Sequence, residues 1–255
     1  MIASAGRREA IESIRPYVQR AKSFSGWSFP ALVVRPLEPP VPWSYEERAK
    51  ELLHTASVVL DMGTGGGELF ADMLQGYRGR AVATESWVTN VPVAARRLAS
   101  TGAVLVRSHS LRLPFRDDSL ALVLNRHEEL DPAEVARVLA AHGRILTQQV
   151  GRRNWEELNV YFPRKQDFGP LFERYRSGFQ TAGLSIVRAD RHAARVAYGS
   201  LGDVVYMLCV APWEISDFSP LHHDLEALIE MERDLRTDDG IVLTEDRFLI
   251  EAQKR

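Results

Sequence analysis

Val58-Val59-Leu60-Asp61-Met62-Gly63-Thr64-Gly65-Gly66-Gly67-Glu68 is the stretch on which the reading of this 255-residue chain turns. A short apolar strand, Val58–Asp61, runs into clustered glycines and then into a helix over Glu68–Gln75, whose Leu69, Phe70, Met73 and Leu74 share one face. Glycine adopts backbone angles closed to other residues and lets a ligand approach the main chain closely. Open α/β sheets bind ligands at the carboxyl edge of their strands, where this loop lies. The spacing narrows the ligand. A dinucleotide loop needs G-x-G-x-x-G, but the sixth position from Gly63 is Glu68, and the Gly-Lys-Ser/Thr of a phosphate loop is absent. An acid at the helix start also repels a pyrophosphate placed there. What remains is D-x-G-x-G-x-G, suited to a ligand that presents an amine and a ribose.

Outward from this loop, strand and helix alternate. Strands are expected over Ala81–Glu85, Ala103–Val106, Leu120–Asn125 and Arg144–Val150. One helix starts near Asn90 with Pro92 in its first turn and stops at Gly102. Another opens at Asp131-Pro132-Ala133-Glu134, which reads as a capping box, and closes at His142-Gly143. Such alternation argues for an α/β fold: a doubly wound, mostly parallel sheet with helices on both faces.

The flanks read differently. Before residue 58, Arg7–Lys22 has helical spacing, a proline- and aromatic-rich run follows, and Ser44 caps a helix over Tyr45–His54. Beyond Gly151, helices are expected over Phe168–Thr181, Leu201–Val210 and Leu221–Leu235. Leu184–Ala189 and Ala193–Tyr198 read as a tightly connected antiparallel pair, and Arg247–Ala252 as a final strand. The whole, 1–255, is expected to be one domain: 1–57 a helical and aromatic lid, 58–150 the binding core, 151–255 the rest of the sheet with substrate-side insertions.

Two further signals accompany the loop. Glu85 ends the second strand, 24 residues after Asp61, where a carboxylate can accept both hydroxyls of a ribose held over the glycines. The segment Leu113-Pro114-Phe115-Arg116-Asp117-Asp118-Ser119 then leads into the apolar strand that ends at Asn125. On these residues, 58–150 resembles the class I S-adenosylmethionine (SAM)-dependent methyltransferases, in the branch with D-x-G-x-G-x-G and L-P-F-x-D-x-S. The resemblance implies a seven-stranded sheet whose seventh strand, Arg247–Ala252, is antiparallel to its neighbours. It implies SAM as cofactor, with S-adenosylhomocysteine as product. Asp61, Gly63, Thr64 and Gly65 would border the methionine and ribose, and Glu85 would hold the ribose. Ser86 and Trp87 would flank the adenine, and Asn125 would offer its backbone carbonyl to the amino group. One position departs from the pattern. Four residues before the leucine of L-P-F, where the family usually has an acid that meets the adenine amine, stands His109. Its neutral ring accepts through one nitrogen, or the backbone of Ser110 and Leu111 serves instead.

Methyl transfer from a sulfonium is a direct displacement, so the protein chiefly aligns the reactants. The candidate general base is His127, in Asn125-Arg126-His127-Glu128, with Glu128 placed to orient it; both also read as helix-start residues. The single cysteine, Cys209, lies in an apolar run, away from the role of a cytosine-methylating nucleophile. No Asp/Asn-Pro-Pro-Tyr follows the fourth strand, which favours a small-molecule acceptor. Trp27, Phe29, Trp43, Tyr45, Trp155 and Tyr161 are lid candidates, with Pro212-Trp213-Glu214-Ile215 on the same rim. Two other readings share these residues. One is a non-catalytic SAM-binding protein. The other is an RNA-modifying methyltransferase using Arg152, Arg153, Arg164, Lys165, Arg174 and Arg176, which suit a solvated helix face equally. The net charge of −2 shows no basic field, so nucleic acid is a secondary expectation. There is no metal-ligand spacing, no apolar h-region in Met1–Gln19 and no stretch long enough to span a bilayer, so the expected setting is the cytoplasm.

Overall fold

The computed structural model describes residues 4–255; the first three residues of the Met1–Gln19 stretch lie outside them. Helix α1 (Ser4–Lys22) precedes a short strand β1 (Val34–Pro36) and helix α2 (Tyr45–Leu53), whose cap Ser44 accepts the Glu47 amide as expected. The alternating region is β2 (Val58–Met62), α3 (Glu68–Met73), β3 (Arg80–Glu85), α4 (Val91–Leu98), β4 (Val104–Arg107), β5 (Leu120–Arg126), α5 (Pro132–Val138) and β6 (Leu139–Val150). Then come α6 (Leu171–Thr181), β7 (Leu184–Tyr198), α7 (Leu201–Val210), α8 (Leu225–Leu235), β8 (Arg236–Thr237) and β9 (Gly240–Lys254).

The nine strands form one sheet in the order β1-β7-β9-β6-β5-β2-β3-β4, with β8 hairpinned onto β9. From β4 through β6 every pairing is parallel, and β9 runs antiparallel to both β6 and β7. The seven-stranded, mostly parallel sheet with an antiparallel seventh strand is therefore present, and β1 and β8 are two short additions to it. The seventh strand is the longer Gly240–Lys254 rather than Arg247–Ala252.

Period-two alternation places the core on both faces of the sheet. Leu60, Val123, Ile145 and Ile250 pack under α5 and α6 with Tyr175 and Phe179. Val59, Leu122, Leu124, Leu146 and Leu249 face the other way, against Phe70, Leu98 and the α2 residues Leu52 and Leu53. A third cluster joins the far ends of β7 and β9 to α1, α7 and α8 through Tyr198, Leu243, Val205 and Leu228. Each such side chain, fully buried, contributes about 1.5–3 kcal/mol.

Three local expectations are corrected. Leu184–Ala189 and Ala193–Tyr198 are one 15-residue strand, β7, rather than an antiparallel pair. The polar run between them, Asp190-Arg191-His192, imitates a turn, but here β7 is an outer strand that only β1 overlaps, at Val196–Tyr198. Outer strands tolerate charge, and these side chains find partners in Arg188, Glu173 and the Pro39 carbonyl. The helix α5 ends at Val138, so His142-Gly143 lies inside β6. The capping box is only half made. Asp131 accepts the Ala133 amide at 2.9 Å, whereas Glu134 turns to the Leu113 amide and Arg137. Arg137 also donates to the Leu113 and Phe115 carbonyls, so α5 holds the Leu-Pro-Phe turn in place.

Candidate functional site

The carboxyl edge of β2, β3 and β5 opens into a cavity of about 760 Å³. Asp61, Gly63, Thr64, Gly65, Glu85, Ser86, Trp87 and His127 line it together. The loop is held from below, because the Thr64 amide donates to the Thr84 carbonyl at 2.9 Å. Gly63 has φ +71°, and a Cβ there would collide with the Glu128 side chain, so the position takes only glycine on two counts.

Glu85 is buried and accepts two backbone amides, Gly65 through Oε2 and Trp87 through Oε1, both at 2.7 Å. Burial raises its carboxyl above the ordinary range, and these amides oppose the rise. Asp61 is pushed up to about 6, mainly by burial and further by Glu85, against the nearby Thr64 hydroxyl and Arg126. Among the described residues, the buried side-chain polar atoms without a partner are Thr64 Oγ1, His127 Nδ1 and Tyr45 Oη. The first two belong to cavity-lining residues, and burial, with Asp61 after it, raises the Tyr45 phenol. Native interiors rarely leave such atoms unpaired.

His127 has a left-handed backbone, φ 64°, and its amide donates to the Gln148 carbonyl. Burial, with Arg247 and Arg126 adding to it, holds its ring well below the usual histidine range. Trp43 Nε1 donates to Gln148 Oε1 at 2.8 Å, which leaves the Gln148 amino group to face His127 Nε2 at 3.4 Å. His127 Nε2 is thereby an acceptor, and the ring proton sits on the enclosed Nδ1.

His109, Ser110 and Asn125 do not line the cavity. His109 is exposed. Ser110 is buried and donates to Glu128 Oε1 at 2.6 Å. Asn125 is wholly buried; its Oδ1 accepts from Thr147 and Gln149, and its Nδ2 donates to the Glu128 carbonyl at 3.1 Å.

The expected lid divides. Trp27 and Phe29 line the cavity with Pro212 and Trp213. Trp27 stacks on Trp213 at 5.8 Å and meets Phe29 edge-on at 5.4 Å. Trp43 and Tyr45 instead belong to the core under α2, and Trp155 and Tyr161 to the cluster at the far end of the sheet. Glu214 and Ile215 are also buried away from the rim, Glu214 beside Lys165. Three residues unforeseen in the sequence anchor the lid. Asn90 accepts the Gly26 amide at 2.8 Å, Glu68 accepts the Trp27 amide at 3.3 Å, and Arg97 pairs with Glu68. The two segments, 40 residues apart in the chain, cross closely: a Cβ on Gly66 would sit 2.6 Å from the Gly26 Cα.

Among the described residues, four of the six basic residues of 152–176 are paired with acids, and Arg174 and Arg176 are not. Arg152 pairs with Asp167, Arg153 with Glu156, Arg164 with Asp224 and Lys165 with Glu214, while Arg174 lies over the Tyr175 ring. No helix among the described residues is long and apolar enough to cross a membrane.

No family model matches the chain, and no curated protein matches it in sequence. Solved structures do. A functionally unknown protein from Deinococcus radiodurans R1 superposes with a TM-score of 0.62 at 14% identity, over 96% of this chain and 99% of that one. A putative methyltransferase from Bacillus halodurans C-125 gives 0.54 at 17% identity, over 82% and 99%. The [4+2]-cyclase SpnF gives 0.55 at 14% identity, over 96% and 94%. The fold is that of the class I methyltransferases. A fold shared by a methyltransferase and a cyclase leaves the chemistry to the site.

Proposed function

We propose that this chain transfers a methyl group from S-adenosylmethionine to a small-molecule acceptor by direct displacement, releasing S-adenosylhomocysteine. The observation that carries the reading is the Glu85 carboxylate, pinned by the Gly65 and Trp87 amides at the wall of one cavity with the glycine loop. Each of its oxygens keeps a further acceptor site, which suits the two hydroxyls of a ribose. Asp61 supplies a buried carboxylate for an ammonium. When bound, the sulfonium cofactor supplies an activated methyl group. The residues of the chain then have to align the nucleophile, and alignment of this kind is worth about 7–11 kcal/mol. The faces of Trp27, Trp87 and Trp213 suit a sulfonium cation, and the carboxylates Asp61, Glu85 and Glu128 give the cavity an acidic lining.

Small acceptors are favoured because the segment Phe24–Phe29 lies across the glycine loop and narrows access, and because Arg152, Arg153, Arg164 and Lys165 are each paired with an acid of the chain. We read 1–255 as one methyltransferase domain, with the Phe24–Phe29 segment rather than the whole of 1–57 as its lid. His127 was the candidate base, but its acceptor nitrogen is engaged by Gln148 and its ring resists protonation. The arrangement favours a nucleophile that reacts without giving its proton to His127.

Titration calorimetry with SAM and S-adenosylhomocysteine, followed by a transfer screen with labelled SAM and small acceptors, tests the proposal. Micromolar binding with turnover supports it. Binding without turnover on any acceptor class would leave a SAM-binding protein, turnover on RNA alone would move the acceptor to nucleic acid, and no binding would end the reading.

A further inference from the structure

The sequence departs from the family pattern it resembles where an acid usually meets the adenine amine, and His109, which stands there, is exposed and outside the cavity. Its neighbour Ser110 is buried and donates at 2.6 Å to a carboxylate that arrives from elsewhere, Glu128, in the loop after β5. Glu128 lines the cavity and its side chain covers the bare face of Gly63. Burial raises its carboxyl above the ordinary range, and the Ser110 hydroxyl opposes the rise.

Its position is built. The Glu128 carbonyl accepts from Asn125 Nδ2 at 3.1 Å and from Gln149 Nε2 at 2.8 Å, and Asn125 is itself held by Thr147 at 2.8 Å. This buried amide network fixes the turn that aims the side chain across the cavity, and Ser110 fixes the carboxylate at the other end. One Glu128 oxygen is engaged by Ser110, while the other makes no hydrogen bond among the described residues.

We propose that Glu128 is the base-specificity residue of this site: its carboxylate accepts the exocyclic amine of adenine, replacing the acid absent at His109, with Ser110 as its positioning residue. This rests on the reading of the cavity as a SAM site. The donors of that ligand then divide among three carboxylates: the ammonium to Asp61, the ribose hydroxyls to Glu85 and the adenine amine to Glu128. A 6-oxo base in place of adenine turns that amine into a carbonyl, which faces the carboxylate oxygen to oxygen. Hydrogen bonds to charged groups separate such ligands by about ten- to hundred-fold in affinity.

The test is the ratio of dissociation constants for S-inosylhomocysteine and S-adenosylhomocysteine, measured by calorimetry on the full chain. Wild type is expected to prefer adenosine at least tenfold. Glu128→Ala brings the ratio near one, and Glu128→Gln and Ser110→Ala each lower it at least threefold; these two keep the test open if the alanine variant fails to fold. A wild-type ratio near one, or a ratio unchanged within twofold in the variants, overturns the assignment while leaving the SAM site standing. Failure of S-adenosylhomocysteine to bind wild type overturns the underlying reading as well.

Discussion

The Trp43 indole N–H donates to Gln148 Oε1 at 2.8 Å, and this one bond decides which nitrogen of His127 carries the proton. An indole only donates, so the Gln148 oxygen is spoken for and its amino group turns to His127 Nε2. Burial together with Arg247 and Arg126 then keeps the ring neutral. The expected outcome is an Nδ1–H tautomer that is still neutral at pH 6.5, where an ordinary imidazole is half protonated. Nitrogen-15 chemical shifts of the His127 ring check it; an imidazolium signal at pH 6.5 would contradict the arrangement.

Asp61 predicts a pH-dependent affinity. Its carboxyl, pushed up to about 6, must ionise to hold an ammonium. S-adenosylhomocysteine binding is therefore expected to be full above pH 7 and to weaken up to tenfold per unit below pH 6. Asp61→Asn binds weakly at every pH, with a flat profile. Calorimetry between pH 5 and 8 distinguishes these, and a wild-type affinity that rises on acidification runs against the assignment.

The same group makes a stability prediction of opposite sense. The folded carboxyl titrates near 6 and the ordinary value is 3.8, so between these the folded state binds more protons than the unfolded one. Stability contributed by this group is present below 3.8 and is lost as pH rises through 6. At 1.36 kcal/mol per unit, Asp61→Asn should stabilise the ligand-free protein at pH 7 by up to about 3 kcal/mol. Urea unfolding of both proteins at pH 4 and pH 7 reads the difference, and equal stability at pH 7 counts against a buried charge.

Gly63→Ala meets both a left-handed backbone and the Glu128 side chain. The backbone alone costs about 1–2 kcal/mol, and the displaced Glu128 adds to it. Lower thermal stability together with at least tenfold weaker S-adenosylhomocysteine binding is expected. Wild-type behaviour in both would show that the loop relaxes freely.

Trp27→Ala removes the stack on Trp213 and the edge contact with Phe29. Trp27 lines the cavity, so ligand affinity should fall about three- to tenfold, while loss of aromatic pairs worth about 0.5–1.5 kcal/mol each lowers the unfolding midpoint only modestly. A large drop in stability with intact binding would make the segment a piece of the core instead of a lid.

The alternation of strand and helix, the glycine loop, Asp61 and Glu85 were legible because each depends on neighbours within a few residues or on a repeat spacing. The polar middle of β7 was misread because charged residues suit both a turn and an outer strand, and the chain order does not say which strand lies outermost. Trp43 and Trp27 look alike in sequence, yet one is core and the other lid. Which face α2 and the Phe24–Phe29 segment present depends on where they dock.

From local spacing alone came the doubly wound sheet and the ligand edge, since periodicity and glycine backbone freedom are properties of the chain itself. Tertiary structure decided what stands at that edge. Asn90 and Glu68 fasten a lid from far upstream, a tryptophan sets a histidine proton through a glutamine, and Glu128 crosses to Ser110 from another strand. These are contacts between groups distant in sequence, and their energies exist only once the sheet has ordered its strands.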